Sequence, residues 1–286
     1  MTHAQRGPLY FAWRRFTANK AAVVSGLILL TLILMAIAAP FITKTSYDDQ
    51  AYLTRALAFP SPDFWFGVDD LGRDFFARIV YGARVSLTIG FSAALFSVLI
   101  GIPLGAIAGY YGGWADWAVM RLIELFSVVP SLLAAMLLGA LTGGGFLTIV
   151  LIAALFGWVQ VCLLVRAQVK SVREKEFIRA AQALGATPGY IIRRHLIPNS
   201  VSPIIVGFVL AIPLAMMLEA SLSFLGIGVQ PPTPSWGQMI NVGMNFMYFY
   251  WHMAVFPTAA LAITVLATTL FGDGLRDALD PTLKGR

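Results

Sequence analysis

Charged residues and cysteine are both scarce in this chain. Asp, Glu, Lys and Arg make up 12% of its 286 residues, and Cys162 is its one cysteine. A single cysteine excludes a disulfide framework within the chain and a cysteine-based metal site. Hydrophobic residues reach 58% and the mean hydropathy is +0.78. This composition excludes a water-soluble enzyme, a secreted module and a disordered segment, because a soluble fold needs more polar surface.

Motifs for nucleotide binding and for hydrolysis are absent as well. The sequence contains no G-x-x-x-x-G-K-[ST], no G-x-S-x-G and no H-E-x-x-H, which are the usual phosphate-loop, serine-hydrolase and zinc-protease patterns. The three histidines, His3, His195 and His252, are scattered. We therefore expect no catalytic site, no metal site and no cofactor in this chain, so that energy for any work must come from another protein.

Long uncharged stretches are what the chain has instead. Five of them cover residues 21–43, 85–115, 125–165, 195–218 and 220–272. About 20 apolar residues cross a bilayer, and breaks at 142–145 and 230–234 divide the longer stretches. The pattern predicts an all-α integral membrane protein with six transmembrane helices at Ala21–Phe41, Val85–Tyr110, Trp117–Ala140, Phe146–Val165, Ser202–Gly228 and Trp251–Phe271.

The basic residues predict how these helices are oriented. If both termini are cytoplasmic, 15 of the 20 Lys and Arg residues lie in cytoplasmic segments, as the positive-inside rule requires. The net charge of +6 therefore indicates bilayer sorting rather than nucleic-acid binding. The alternative is a cleaved signal peptide ending near Ala36–Ala38, but the apolar run is longer than a typical signal core.

Small and acidic residues within the spans raise two questions. Gly101, Gly105 and Gly109 share one face of the second span, which suits either close helix packing or a sliding surface along a path. Glu219 lies inside the apolar fifth span, after Pro213, which is expected to bend the helix. An intramembrane carboxylate is a functional candidate. A structural role, bonded to a neighbouring helix or to Ser221 and Ser223, is equally open.

The segment between the first two spans is rich in aspartate. Residues 69–74 read Asp-Asp-Leu-Gly-Arg-Asp, and Arg78 follows. Cation binding is one interpretation, but Arg73 and Arg78 balance the charge, which favours a surface salt-bridge network. Phe75 and Ile79 predict an amphipathic helix lying on the outer surface.

A cytoplasmic helix-turn-helix is predicted between the fourth and fifth spans, within about 166–199. Gly185 is a natural helix stop, Thr187 an N-cap and Pro188 a first helical residue. The second helix is expected to end before Pro198. Flanking spans and the lack of a basic recognition face argue against a DNA reader. The first helix would carry an exposed apolar face that another protein must cover, at Phe177, Ala180, Ala181 and Leu184.

Several stretches resemble one known family. The segments 177–186 (FIRAAQALGA) and 194–199 (RHLIPN) resemble the E-A-A…G…LP loop of ABC importer permeases, specifically the C-type permease of the peptide/nickel subgroup. Four other stretches agree with that pattern: 66–74 (FGVDDLGRD), 81–87 (YGARVSL), 222–228 (LSFLGIG) and 272–281 (GDGLRDALDP). Where the family's loop has Glu, this chain has Arg179; His195 and Ile197 also depart from it.

The resemblance implies a six-span permease of the type I ABC importer fold in a prokaryotic inner membrane. Residues 1–82 would hold the N-terminal segment, first span and outer loop, residues 83–275 the core, and residues 276–286 a cytoplasmic tail. The implied partners are a sister permease, two ATPase subunits or a fused pair, and an extracytoplasmic binding protein, with ATP and Mg²⁺ on the ATPases. The implied ATPase-coupling residues are Phe177, Arg179, Ala180, Ala181, Leu184, Gly185 and Pro198.

The function expected on these grounds is ATP-driven import of short peptides or a related solute. Dipeptides, oligopeptides, nickel chelates and glutathione-like solutes remain open, because selectivity is expected mostly in the binding protein. The alternative is a secondary transporter driven by an ion gradient, with Glu219 as the proton or cation carrier. An integral-membrane enzyme has only generic support.

Overall fold

The computed structural model describes residues 8–279. Residues 1–7 and 280–286 lie outside the described residues, and with them parts of the predicted segments 1–82 and 276–286 and three of the counted basic residues. Within 8–279 the regular structure is helical, and the one β-type pairing is an isolated bridge between Val68 and Asp74. The predicted all-α class is confirmed.

Thirteen α-helices form the described part of the chain, with a 3₁₀ turn at Leu53–Arg55 and a π-type turn at Ile192–Leu196. In chain order they are α1 (Pro8–Ala18), α2 (Lys20–Ile37), α3 (Ala39–Ile42), α4 (Phe75–Tyr111), α5 (Gly113–Val128), α6 (Ser131–Thr142), α7 (Phe146–Arg173), α8 (Glu176–Ala183), α9 (Pro188–Ile191), α10 (Ile197–Asn199), α11 (Val201–Phe224), α12 (Trp236–Phe246) and α13 (His252–Leu279).

Five described helices are each long and apolar enough to cross a membrane: α2, α4, α7, α11 and α13. They match five of the six predicted spans. The third predicted span is not one straight helix, because α5 and α6 meet at a bend of 79°. Pro130, which precedes α6, explains the bend: proline lacks the N–H that a continuous helix would need. The pair supplies the sixth span only if it is counted as one broken helix.

The second span begins earlier than predicted, at Phe75. Asp74 caps α4, and its side chain accepts hydrogen bonds from the backbone N–H groups of Phe76 and Ala77 at 2.9 and 3.4 Å. The prediction of a separate surface helix at Phe75–Ile79 is therefore wrong. Phe75 and Ile79 are buried, and they form the first turns of the 37-residue α4.

The glycine face of α4 packs against α7. A Cβ added to Gly101 would lie 2.8 Å from Val161 Cβ, and one added to Gly105 would lie 2.6 Å from the Cys162 carbonyl oxygen. Such distances leave no room for a side chain, so the two backbones touch directly. Of the two interpretations of this face, close packing within the chain is the one observed.

A second centre of packing surrounds Trp236, at the start of α12. Its side chain is fully buried, and its indole N–H donates to the carbonyl oxygen of Ile79 on α4 at 3.0 Å. Around it lie buried side chains of α4, α11 and α13, including Phe75, Met216 and Met253. These contacts fix the end of the bundle opposite to α8.

Candidate functional site

The turn after α8 has the geometry that the sequence predicts. The N–H of Gly185 donates to the Gln182 carbonyl at 3.0 Å, and the N–H of Ala186 donates to the Ala181 carbonyl at 3.1 Å. This pair of bonds is the Schellman motif, which needs a left-handed residue after the helix. Gly185 supplies it with φ of +81°, and the chain reverses sharply there.

The second arm of the helix-turn-helix begins as predicted, and its first helix, α9, ends at Ile191, before Pro198, as predicted. Thr187 accepts a hydrogen bond from the Tyr190 N–H at 3.4 Å, and Pro188 occupies the first turn of α9. The backbone nevertheless stays helical beyond α9. A π-type turn over Ile192–Leu196 leads into α10, where Pro198 sits at an N-terminal position, which tolerates proline.

One face of this helix-turn-helix is anchored to the bundle. Ile178, Ile191 and Leu196 are fully buried, and they pack with Val169 and Val172 at the end of α7. Their burial ties both arms to the long helix that precedes them. Sequence reasoning missed these anchors, although Ile178 is the apolar residue of α8 that lies off the predicted face.

The opposite face of α8 is open. Phe177 is 42% exposed, Leu184 is 88% exposed, and Ala180 is exposed beside them, whereas Ala181 is half-buried. Exposed large apolar side chains joined by small ones form a shallow patch of the kind that a partner covers. Six of the seven predicted coupling residues lie on or just after α8, and the seventh, Pro198, is exposed in α10.

Basic side chains flank this open patch. Arg179 on α8 and Arg193 and Arg194 in the π-type turn are exposed, and none of them forms an ion pair with a described residue. Arg166, by contrast, is held by a bidentate ion pair with Asp116, which ties α7 to α5. Residue 166 therefore belongs to the rigid bundle.

Glu219 is sealed among hydroxyl groups. Its side chain is fully buried, and its two oxygens accept hydrogen bonds from Ser86 on α4 at 3.1 Å and from Ser223 at 2.8 Å. Ser86 in turn accepts from the Trp236 N–H, and Ser223 accepts from the Val229 N–H, each at 3.3 Å. The carboxylate thus joins α4, α11 and the start of α12.

This geometry gives Glu219 a structural role. The structural interpretation correctly named Ser223 and a neighbouring helix, but Ser221 instead bonds the Met217 carbonyl of its own helix. No described Lys or Arg pairs with Glu219, and the large cavity of the bundle is lined by Leu218 and Ala215 rather than by Glu219. An ion carrier needs access to water, which the described residues do not give it.

That cavity lies between α7 and α11 and measures about 920 Å³. It is large enough for a small-molecule ligand. Most of its lining residues come from these two helices, and Ser97, Ser131 and Arg276 are among the contributions from α4, α6 and α13. Sequence reasoning could not find this cavity, because it depends on which helix faces meet.

The aspartate-rich segment forms an ion-pair network, but not on the surface. Asp69 Oδ2 accepts from Arg73 Nε at 2.6 Å and lies 3.4 Å from Arg78 Nε, and all three side chains are buried. Arg78 also donates to the Tyr47 carbonyl at 3.1 Å. Burial raises the pKa of the neighbouring Asp70, and the charge of Asp69 adds to that rise. No group of three potential metal ligands occurs among residues 8–279.

Comparison with known proteins places this arrangement in a family. Residues 101–285 match the family model of the binding-protein-dependent transport system inner membrane component. Residues 8–60 match the N-terminal transmembrane domain of oligopeptide transport permease C. Together the two models account for most of the chain.

Curated relatives match over nearly the full length. The chain is 42% identical to the glutathione transport system permease protein GsiD of Pectobacterium atrosepticum, over 98% of this chain and 93% of the relative. It is 43% identical to the dipeptide permease DppC of Bacillus subtilis, over 96% and 85%. It is 41% identical to the oligopeptide permease OppC of the same organism, over 96% and 89%.

A solved structure agrees in fold. The inward-facing MetNI methionine ABC transporter superposes with a TM-score of 0.60 at 18% identity, covering 72% of this chain and 98% of the MetNI chain. This supports the predicted type I importer fold. The family also confirms that the chain is a transport subunit rather than an enzyme, and a multi-pass inner-membrane protein. The chain belongs to the binding-protein-dependent inner-membrane permeases and, among them, to the C-type permeases of peptide ABC importers.

Proposed function

We propose that this chain is one half of the membrane path of an ATP-driven importer for short peptides or a related solute such as glutathione. The relatives' names supply the solute class, since they transport dipeptides, oligopeptides and glutathione. The single observation that carries the coupling role is the two-faced helix-turn-helix, anchored by Ile178 and Leu196 and open at Phe177 and Leu184.

In this proposal the α8 patch seats on a separate ATPase subunit. Residues 83–275 form the core permease domain, the helix-turn-helix faces the cytoplasm, and both termini are cytoplasmic. A sister permease completes the path, and an extracytoplasmic binding protein delivers the solute. ATP and Mg²⁺ bind to the ATPases and not to this chain. Closure of the ATPases moves the docked helix, and α7 transmits that movement into the bundle.

Arg179 stands where the family's loop has Glu, and this changes the contact expected with the ATPase. Apolar docking through Leu184 and Phe177 does not depend on the residue at position 179. An exposed guanidinium without an ion partner in the described chain presents a positive charge to the ATPase. We therefore expect a carboxylate on the facing surface of the cognate ATPase, where the charges would be complementary.

Exchange of one exposed residue tests the proposal. Leu184→Asp should leave folding intact, because Leu184 is 88% exposed, but should abolish co-purification of the ATPase and ATP-dependent uptake of labelled di- and tripeptides. The matched control is Leu53→Asp, at a residue that is 59% exposed at the opposite end of the bundle, which should retain the ATPase. Normal assembly of Leu184→Asp, or uptake by this chain without any ATPase, would contradict the proposal.

A further inference from the structure

The two walls of the cavity between α7 and α11 differ in chemistry. The α7 wall carries the uncharged polar side chains of Gln160, Gln168 and Ser171, which recur on one face of that helix. The α11 wall carries Leu210, Leu214 and Leu218, spaced by four on one face. The α7 wall also carries apolar side chains such as Phe156 and Leu164, so the cavity offers amides set among apolar groups on one side and an aliphatic surface on the other.

Gln160 indicates that this wall does not face lipid. Gln160 is exposed and Gln168 half-buried, and neither side chain forms a hydrogen bond with a described residue. Gln160 lies within the predicted span Phe146–Val165, where a carboxamide in contact with hydrocarbon would leave two donors and an acceptor unsatisfied, whereas Gln168 lies beyond that span. Gln160 therefore needs water, a solute or a polar group of another protein opposite it. Both glutamines carry a donor and an acceptor, as a peptide bond does.

Positive charge is confined to one end of the cavity. Lys175 at the start of α8 and Arg276 near the end of α13 are among its lining residues, and no Asp or Glu from residues 8–279 lines it. Glu174 and Asp277, their immediate neighbours in sequence, are not part of the lining. A cleft with charge of one sign and low-dielectric walls concentrates ions of the opposite sign.

We propose that this cavity is the wall that this chain contributes to the solute path, and that it selects solutes bearing a carboxylate and amide groups over cations. The inference rests on the proposed import function and narrows its solute class. A short peptide or a glutathione-like molecule meets Gln160 and Gln168 with its amides, the leucine wall with its side chains, and Lys175 and Arg276 with its carboxylate. A metal cation or a cationic chelate is disfavoured.

Charged thiol reagents of equal size measure this selectivity without knowledge of the natural solute. In the Cys162→Ala background, Gln160→Cys and Gln168→Cys are introduced singly into the assembled transporter. Each is treated with a sulfonate-bearing and a trimethylammonium-bearing methanethiosulfonate, and modification of this subunit is followed by mass spectrometry. We expect the anionic reagent to react several-fold faster than the cationic one, after normalisation to free cysteine. Adding Lys175→Glu with Arg276→Glu should lower the ratio about tenfold.

Lys20→Glu is the matched control, since it makes the same charge change at an exposed lysine that does not line the cavity; it should leave the ratio unchanged. A ratio equal to that of free cysteine, a ratio insensitive to the double exchange, or no modification at either position would overturn the inference. ATP-dependent peptide uptake by the Cys162→Ala transporter is measured in parallel. If uptake is retained but the ratio of anionic to cationic modification equals that of free cysteine, only this inference fails. If that ratio is raised but uptake is absent, the proposed function fails.

Discussion

The carboxylate of Glu219 on α11 accepts a hydrogen bond from the hydroxyl of Ser86 on α4 at 3.1 Å. Ser86 also accepts from the backbone N–H of Trp236, so one side chain of α4 connects α11 to the beginning of α12. The only acidic residue within the described part of α11 is thereby used to hold three helices together.

Replacement of Glu219 should therefore weaken folding rather than remove an ion-binding site. Glu219→Gln turns one accepting oxygen into a donor that faces a donating serine, and the loss of a buried hydrogen bond costs about 1–3 kcal/mol. The melting temperature in detergent should fall. Ser221→Ala, at an exposed hydroxyl on the same helix, should change stability by less than about 0.5 kcal/mol. An unchanged melting temperature with abolished uptake would instead favour a transport role for Glu219.

The contact between α4 and α7 predicts a strict size limit at Gly105. A Cβ there would lie 2.6 Å from the Cys162 carbonyl oxygen and 2.9 Å from Val165 Cβ. Gly105→Ala should destabilise the protein by about 1–3 kcal/mol, as other overpacked sites do. Gly189→Ala is the control, because no atom lies within 4 Å of a Cβ at that helical position. Equal unfolding midpoints for the two variants would show that the helices separate easily.

Substitution of Gly185 should act through backbone conformation rather than through a steric clash. Its φ is +81°, yet a Cβ would meet nothing within 4 Å. Gly185→Val should distort the turn, since a left-handed conformation costs about 1–2 kcal/mol for most residues. Gly185→Asn should be tolerated, because asparagine adopts that conformation. Co-purification of the ATPase should be lost with valine and retained with asparagine, and equal retention would rule out a need for this turn geometry.

Removal of the Asp70 charge is expected to stabilise the protein in a pH-dependent way. Its pKa is raised by burial and by the charge of Asp69, and its Oδ1 has no hydrogen-bond partner among the described residues. The raised pKa means that the folded state loses stability as the pH rises from the unfolded-state pKa, about 3.9, through the folded-state pKa.

Asp70→Asn should therefore raise the melting temperature at pH 7, and this gain should vanish below about pH 3.9. Asp63→Asn is the control, since that carboxylate is 81% exposed and its distant ion pair with Arg55 contributes little. A loss of stability at pH 7 in Asp70→Asn would mean that the ionised carboxylate is favoured by the fold.

Features set by local sequence were predictable, and features set by distant contacts were not. Gly185, Thr187 and Pro188 fix their own turn through backbone conformation and capping, so their geometry follows from neighbouring residues. The bend before α6 was also local, since Pro130 is visible in the sequence, but the long uncharged run around it hid the break.

Burial of charge was harder to predict. Arg78 looks like a surface residue because balancing aspartates lie next to it, yet its guanidinium reaches the Tyr47 carbonyl, 31 residues away in sequence. Ser86 lies 133 residues from Glu219, and no local pattern joins them. The cavity lining could not be predicted for the same reason, since it requires α7 and α11 to face each other.

The close packing of α4 against α7 has a mechanical consequence. With 28 residues, α7 is about 42 Å long at 1.5 Å per residue, and its last turns hold Ile178 and Leu196. At its glycine face α4, which is longer, approaches the α7 backbone closely, and the valine side chains of α7 pack against that face. We therefore expect a tilt imposed at α8 to move α4 and α7 together.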